Sequence, residues 1–152
     1  MIGPAPALAL LFVCASLLLG IPAHANGDRD AGIAAFEAGD YDTARELWTA
    51  SAATGDSRAA SGLGEIYLQG LGVEADPVQA VAWFRKAAEQ DEPRALHLLG
   101  VLMAEGQGVP RDEAAAAELL QRAAAAGQIG ADYALGVLYE EGRGVPENAT
   151  ES

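Results

Sequence analysis

Shifted by 36 residues, the chain lines up with itself. Gly64, Gly100 and Gly136 fall in one column, and Gly70, Gly106 and Gly142 in another. Gly72, Gly108 and Gly144 form a third, followed by Val73, Val109 and Val145. The same shift superposes Asp40, Asp76, Asp112 and Asn148, then Ala44, Ala80 and Ala116. It also aligns Leu47, Trp83 and Leu119, and beside them Trp48, Phe84 and Leu120. A period in this range marks an array of small units, each of which can bury its apolar face only against its neighbours.

Each unit reads as two helices. Ala95, Leu99, Leu102 and Met103 stand at i, i+4, i+7 and i+8, one stripe of an amphipathic helix. Ala59, Leu63, Ile66 and Tyr67 repeat that stripe, as do Ala131, Leu135, Leu138 and Tyr139. A second helix is expected from Pro77 to Glu89, with Asp76 as N-cap and Pro77 in the first helical position. Asp112 opens the next second helix in the same way. Gly70, Gly106 and Gly142 stand where a helix end needs positive φ. Gly64, Gly100 and Gly136 lie inside helices, which implies close approach of a neighbouring helix backbone. Trp48, Trp83 and Phe84 occupy core columns.

The glycine-rich turns do not bind nucleotide by any known pattern. A phosphate loop needs Lys and a hydroxyl residue after its last glycine, and a dinucleotide fingerprint needs a preceding strand. Here no copy carries the Lys, and each follows a helix. Three copies of one turn are what a solenoid requires.

The pattern A-x3-LG-x2-Y-x2-G-x-GV-x2-D-x3-A-x2-WF-x2-AA, read from Ala59 to Ala88, resembles the Sel-one-like repeat, a relative of the tetratricopeptide repeat. Ala95 to Ala124 follows it with Met103 for Tyr and Leu119-Leu120 for the aromatic pair. Ala131 to Asn148 follows it through the first helix and the turn. The resemblance implies an all-α, α/α superhelical solenoid of about seven helices, whose first helices line a concave face. It divides the chain into an N-terminal tetratricopeptide-like pair at 26–56, repeats at 57–92 and 93–128, and a partial repeat at 129–152. The first pair differs because Gly39 leads to Ala44 over five residues, where Gly70 leads to Ala80 over ten.

Residues 1–25 read as a secretory signal peptide, with an apolar run from Ala5 to Ile21 and an Ala23-His24-Ala25 cleavage triplet. A periplasmic or secreted protein is expected; an uncleaved membrane tether is the alternative. All charged residues follow Ala25, so the net charge of −13 belongs to that part. Such acidity argues against nucleic acid and, once the leader is removed, against anionic membrane as partner. Cys14 is the one cysteine, and His97 is the one histidine after Ala25, so no cofactor, metal or catalytic site is expected. The resemblance also brings in cysteine-rich relatives suggested to hydrolyse cell-wall or β-lactam substrates, but they carry paired cysteines in each repeat and this chain does not.

The expected activity is therefore that of a non-enzymatic adaptor holding a protein or peptide of basic or mixed character. The columns that vary while the frame holds are Ser61/His97/Tyr133, Glu65/Val101/Val137, Leu68/Ala104/Glu140 and Gln69/Glu105/Glu141, with Arg58 and Arg94 one turn earlier. From these the candidate binding residues are Arg58, Ser61, Glu65, Gln69, Arg94, His97, Val101, Glu105, Tyr133, Val137, Glu140 and Glu141. Leu135, Leu138 and Tyr139 are expected to leave an apolar face uncovered at the C-terminal end, which keeps homodimerisation there open.

Overall fold

The computed structural model describes residues 25–144. The expected leader lies outside them apart from Ala25, as do Val145 and Asn148 of the repeat columns. The described residues form seven helices and no strand: α1 (Ala25–Glu37), α2 (Tyr41–Ala53), α3 (Ser57–Gln69), α4 (Pro77–Ala88), α5 (Pro93–Glu105), α6 (Glu113–Ala125) and α7 (Ala131–Glu140). Each helix packs on the next, and α3 also touches α5 across the intervening α4. The result is the expected α/α array of hairpins.

Local chemistry sets the boundaries. The Asp76 side chain accepts from the backbone N–H groups of Val78 and Gln79, and Asp112 accepts from Ala115. Such a cap satisfies donors that the first helical turn otherwise leaves unpaired. Glu92 caps α5 by accepting from Ala95 at 2.8 Å, a role its column partner Asp56 performs for α3. At the far ends, Gly70 and Gly106 cap α3 and α5 with φ of 68° and 70°. The following N–H groups, from Leu71 and Gln107, reach back to Ile66 and Leu102 at 3.0 Å. Asp76 N–H then donates to the Tyr67 carbonyl and Asp112 N–H to that of Met103, so both ten-residue turns close identically.

The core runs through the middle of the array. Ala44, Ala80 and Ala116 are fully buried, as are Phe84 and Leu63, and Trp48 and Leu120 nearly so. Trp83 and Leu119 are only partly buried and flank this core; the Lys86 ammonium lies 5.4 Å from the Trp83 ring centre. Small residues on one helix admit large ones from its partner, which is how close-packed interiors avoid voids.

The in-helix glycines follow that rule with one difference from expectation. What approaches Gly64 is the Phe84 side chain, not backbone: a Cβ there would stand 2.5 Å from the ring. At Gly100 it would meet Leu120 at 2.9 Å and the Ala116 carbonyl at 3.2 Å. At Gly136 it would meet nothing within 4 Å among the described residues. The C-terminal face also differs from expectation. Leu138 is buried against α6 with Leu120, and Leu135 is half-buried, so Tyr139 is the exposed member of that trio. Its hydroxyl accepts from the Gln121 amide at 2.6 Å.

Candidate protein-binding groove

Two cavities open on the face made by α1, α3, α5 and α7. The N-terminal one, about 430 Å³, lies between α1 and α3. Its apolar wall comes from Ile33, Phe36 and Trp48, and its polar rim from Glu37, Arg58, Glu65, Glu92 and Arg94. Trp48 reaches this wall from α2 because Gly32 and Gly62 leave room on either side of the indole. Phe36 stacks beside it at a centroid distance of 5.4 Å, with Tyr41 edge-on to Phe36.

The C-terminal cavity, about 380 Å³, lies between α5 and α7. Val101, Ala104, Leu120, Ala134, Val137 and Leu138 form its floor. His97, Gly130 and Tyr133 stand at one end, and Glu105 and Arg143 line it as well. Tyr133 is 77% exposed, the condition of an aromatic side chain available to a partner.

Ion pairs decide which charges face outward. Arg94 holds Glu65 in a bidentate pair, with Nη2 to Oε2 at 2.7 Å. These hydrogen bonds raise the guanidinium further above its ordinary range, as expected where an ionised donor meets a carboxylate. Arg143 donates to Glu113 at 2.7 Å, to Glu141 at 2.6 Å and to the Ala104 carbonyl at 2.6 Å. With Arg111 also on it, Glu113 is held below the usual carboxylate range. Burial, and then the nearby Arg94 charge, push the His97 imidazole below its ordinary value.

That last direction has a solution consequence. His97 is neutral at pH 7, and its contribution to stability is complete above the unfolded-state value of about 6.5. As pH falls through the lower folded value, the half-buried imidazole must charge and that contribution is lost. An NMR titration is expected to place its midpoint below that of a free histidine. In Arg94→Gln the midpoint moves upward but stays depressed, because burial is the larger cause. A midpoint at or above the free value would contradict the burial seen at this site.

The sequence-derived residues divide three ways. Arg58, Ser61, Glu65 and Arg94 line the N-terminal cavity, and His97, Val101, Glu105, Tyr133 and Val137 the C-terminal one. Gln69, Glu140 and Glu141 line neither, and Glu141 is paired with Arg143. Two expectations need correction: Ser61 is only 3% exposed and Ala104 only 6%, so both belong to the floor and neither is presented to solvent. The Ser61 hydroxyl has no hydrogen-bond partner among the described residues. Missed altogether were Ile33, Phe36 and Trp48, which come from the divergent first pair, and Arg143, which sits in a turn. Ile33 and Phe36 precede the first aligned column, so no repeat position marked them.

No group of three or more His, Cys, Asp or Glu among the described residues could hold a metal. Against protein-family models, the Sel1 repeat matches at residues 57–92, 93–128 and 129–152. The chain belongs to the Sel1-repeat family.

Solved structures agree. A Sel1-repeat protein from Oxalobacter formigenes matches with 29% identity and a TM-score of 0.74, over 91% of this chain and 60% of that one. A protective antigen of uropathogenic Escherichia coli with an SLR fold matches with 31% identity and a TM-score of 0.75, over 93% of this chain and 30% of that one. This chain thus spans only part of the length of both. Cysteine-rich protein B of Helicobacter pylori matches at 17% identity and a TM-score of 0.58, over 77% of this chain and 98% of that one, a likeness of fold alone. No curated protein matches. Sel1-repeat proteins are generally non-catalytic scaffolds for protein interaction.

Proposed function

We propose that this Sel1-repeat protein is an exported, non-enzymatic scaffold that binds a protein or peptide segment along the face built by α1, α3, α5 and α7. One observation carries the reading. The columns that vary between repeats, Ser61/His97/Tyr133 and Glu65/Val101/Val137, line the two apolar-floored cavities, while the constant alanine columns, Ala44/Ala80/Ala116 and Ala59/Ala95/Ala131, are buried in the frame. A solenoid keeps its fold with the constant columns and is free to change the others, so specificity resides there. Export, to the periplasm or beyond, rests on the leader-like residues 1–25. Mass spectrometry of the expressed protein tests it: a mature chain beginning at Asn26 supports it, and a retained Met1 contradicts it.

The partner is to be captured from the cell-envelope fraction with the whole chain and then measured against variants. Exposed aromatic residues at the centre of an interface commonly carry about 2 kcal/mol or more, roughly 30-fold in affinity. Tyr133→Ala is expected to weaken the captured partner by that order, and His97→Ala by less. Full retention in both would reject this face as the binding surface.

A further inference from the structure

We propose that the cavity between α5 and α7 is an anchor site for a partner segment that seats a large apolar side chain on the cavity floor and places an Arg or Lys on the Glu105 carboxylate. It rests on the reading of this face as a protein-binding surface and names the chemistry that the surface selects.

The floor is apolar throughout, built from Val101, Leu120, Val137 and Leu138 with the small Ala134 between them. Its volume of about 380 Å³ falls within the usual range of ligand pockets, roughly 300–1,000 Å³. Three ionisable side chains with charge at stake line it: His97, Glu105 and Arg143. Arg143 is committed to Glu113, Glu141 and the Ala104 carbonyl, so it offers an incoming carboxylate little. His97 is uncharged at neutral pH and neither repels nor attracts an ion. Glu105 is exposed and makes no hydrogen bond or ion pair among the described residues. The cavity therefore presents one uncompensated negative charge beside an apolar floor.

The cavity between α1 and α3 does not share this balance. There Glu65 is paired with Arg94, Glu92 caps α5, and Arg58 and Glu37, which make no ion pair among the described residues, stand on the same rim. Charge selection is thus confined to the α5–α7 site. From His97 to Glu105 along α5 the helix rises about 12 Å. An apolar anchor near the middle leaves about 6 Å to Glu105, about two residues of extended chain. The segment expected to bind best places its cation two residues from its apolar anchor.

Three end-blocked, fluorophore-labelled octapeptides test this, identical except for a core of Leu-Ala-Arg, Leu-Ala-Gln or Leu-Ala-Glu. Anisotropy with the whole chain is expected to rank Arg above Gln above Glu, with at least tenfold between the extremes at low salt. Glu105→Lys, an exposed change, reverses the order, whereas Glu46→Lys, exposed on α2 away from both cavities, leaves it as it was. Equal binding of all three peptides, or an unchanged order in Glu105→Lys, overturns the proposal. So does tightest binding by a peptide copying residues 145–152, which would make the chain's own C-terminal residues the occupant. Self-association seen by light scattering and abolished by Glu105→Lys would assign the site to a second copy and likewise overturn it. If the peptides do not discriminate while the envelope partner is still lost in Tyr133→Ala, the anchor fails and the scaffold reading stands. If the charge reversal succeeds while that partner survives Tyr133→Ala, the anchor stands and the broader surface assignment fails.

Discussion

Replacing Trp48 with alanine is expected to lower stability by about 3–5 kcal/mol, the usual cost of truncating a large buried aromatic side chain. The indole sits in a slot that the backbone has already narrowed to its shape. Gly32 on α1 and Gly62 on α3 face it from either side, and a Cβ at Gly62 would stand 2.7 Å from the ring. Its Nε1–H donates to the Arg29 carbonyl at 3.2 Å, which ties α2 to α1. Helices held this rigidly cannot collapse onto an alanine, so most of the void persists. A domain of this size is stable by only about 0.05–0.15 kcal/mol per residue, so the loss is a large fraction of the total. Because solenoid stability is a sum over neighbours, α1 and α2 should detach before the rest. Urea melts followed by circular dichroism are expected to broaden or split, and hydrogen exchange to accelerate first in residues 25–53. A single transition displaced by less than about 1 kcal/mol would contradict this account of the slot.

The second prediction is a difference of sign between equivalent positions. Gly64→Ala drives a methyl into the fully buried Phe84 ring, which has no free volume to move into. Overpacking of that kind costs about 1–3 kcal/mol, set against about 1 kcal/mol gained by removing a helical glycine, so the net is a loss of up to about 2 kcal/mol. Gly100→Ala meets the flexible Leu120 at 2.9 Å and is expected to lose less. Gly136→Ala meets nothing within 4 Å among the described residues and keeps the propensity gain, so its melting temperature rises, by a few degrees for about 0.5–1 kcal/mol. Thermal melts of the three variants should rank Gly136→Ala above the parent, and Gly100→Ala above Gly64→Ala. A destabilised Gly136→Ala would show that another group occupies that space in solution.

These two results bear on how much could be read in advance. The helical pairs, their caps and the turn glycines were legible because each depends on residues within a few positions of one another. Asp76 meets Val78 and Gln79 whatever the rest of the chain does. The glycine columns also marked the repeat frame correctly. The close approach at Gly64 comes from a side chain twenty residues on, and its identity follows from hairpin geometry that periodicity alone leaves unspecified. The groove was legible in outline for the same reason: its columns share a helix face. Which members are exposed was not.

Ser61, His97 and Tyr133 occupy one column of the repeat, yet the first is buried, the second half-buried and the third 77% exposed. Glu65 and Glu105 are both acidic and were both read as candidate binding residues, yet one is paired across repeats with Arg94 and the other makes no ion pair among the described residues. The amino-acid sequence by itself determined the period, the helical hairpins, their caps and the columns from which a binding face could be drawn. Only the tertiary structure decided which members of those columns are exposed and which charges are unpaired. Helix propensity and capping are local properties, whereas burial and ion pairing belong to neighbours. An interior helix such as α3 packs against α2, α4 and α5, while α7 packs chiefly against α6.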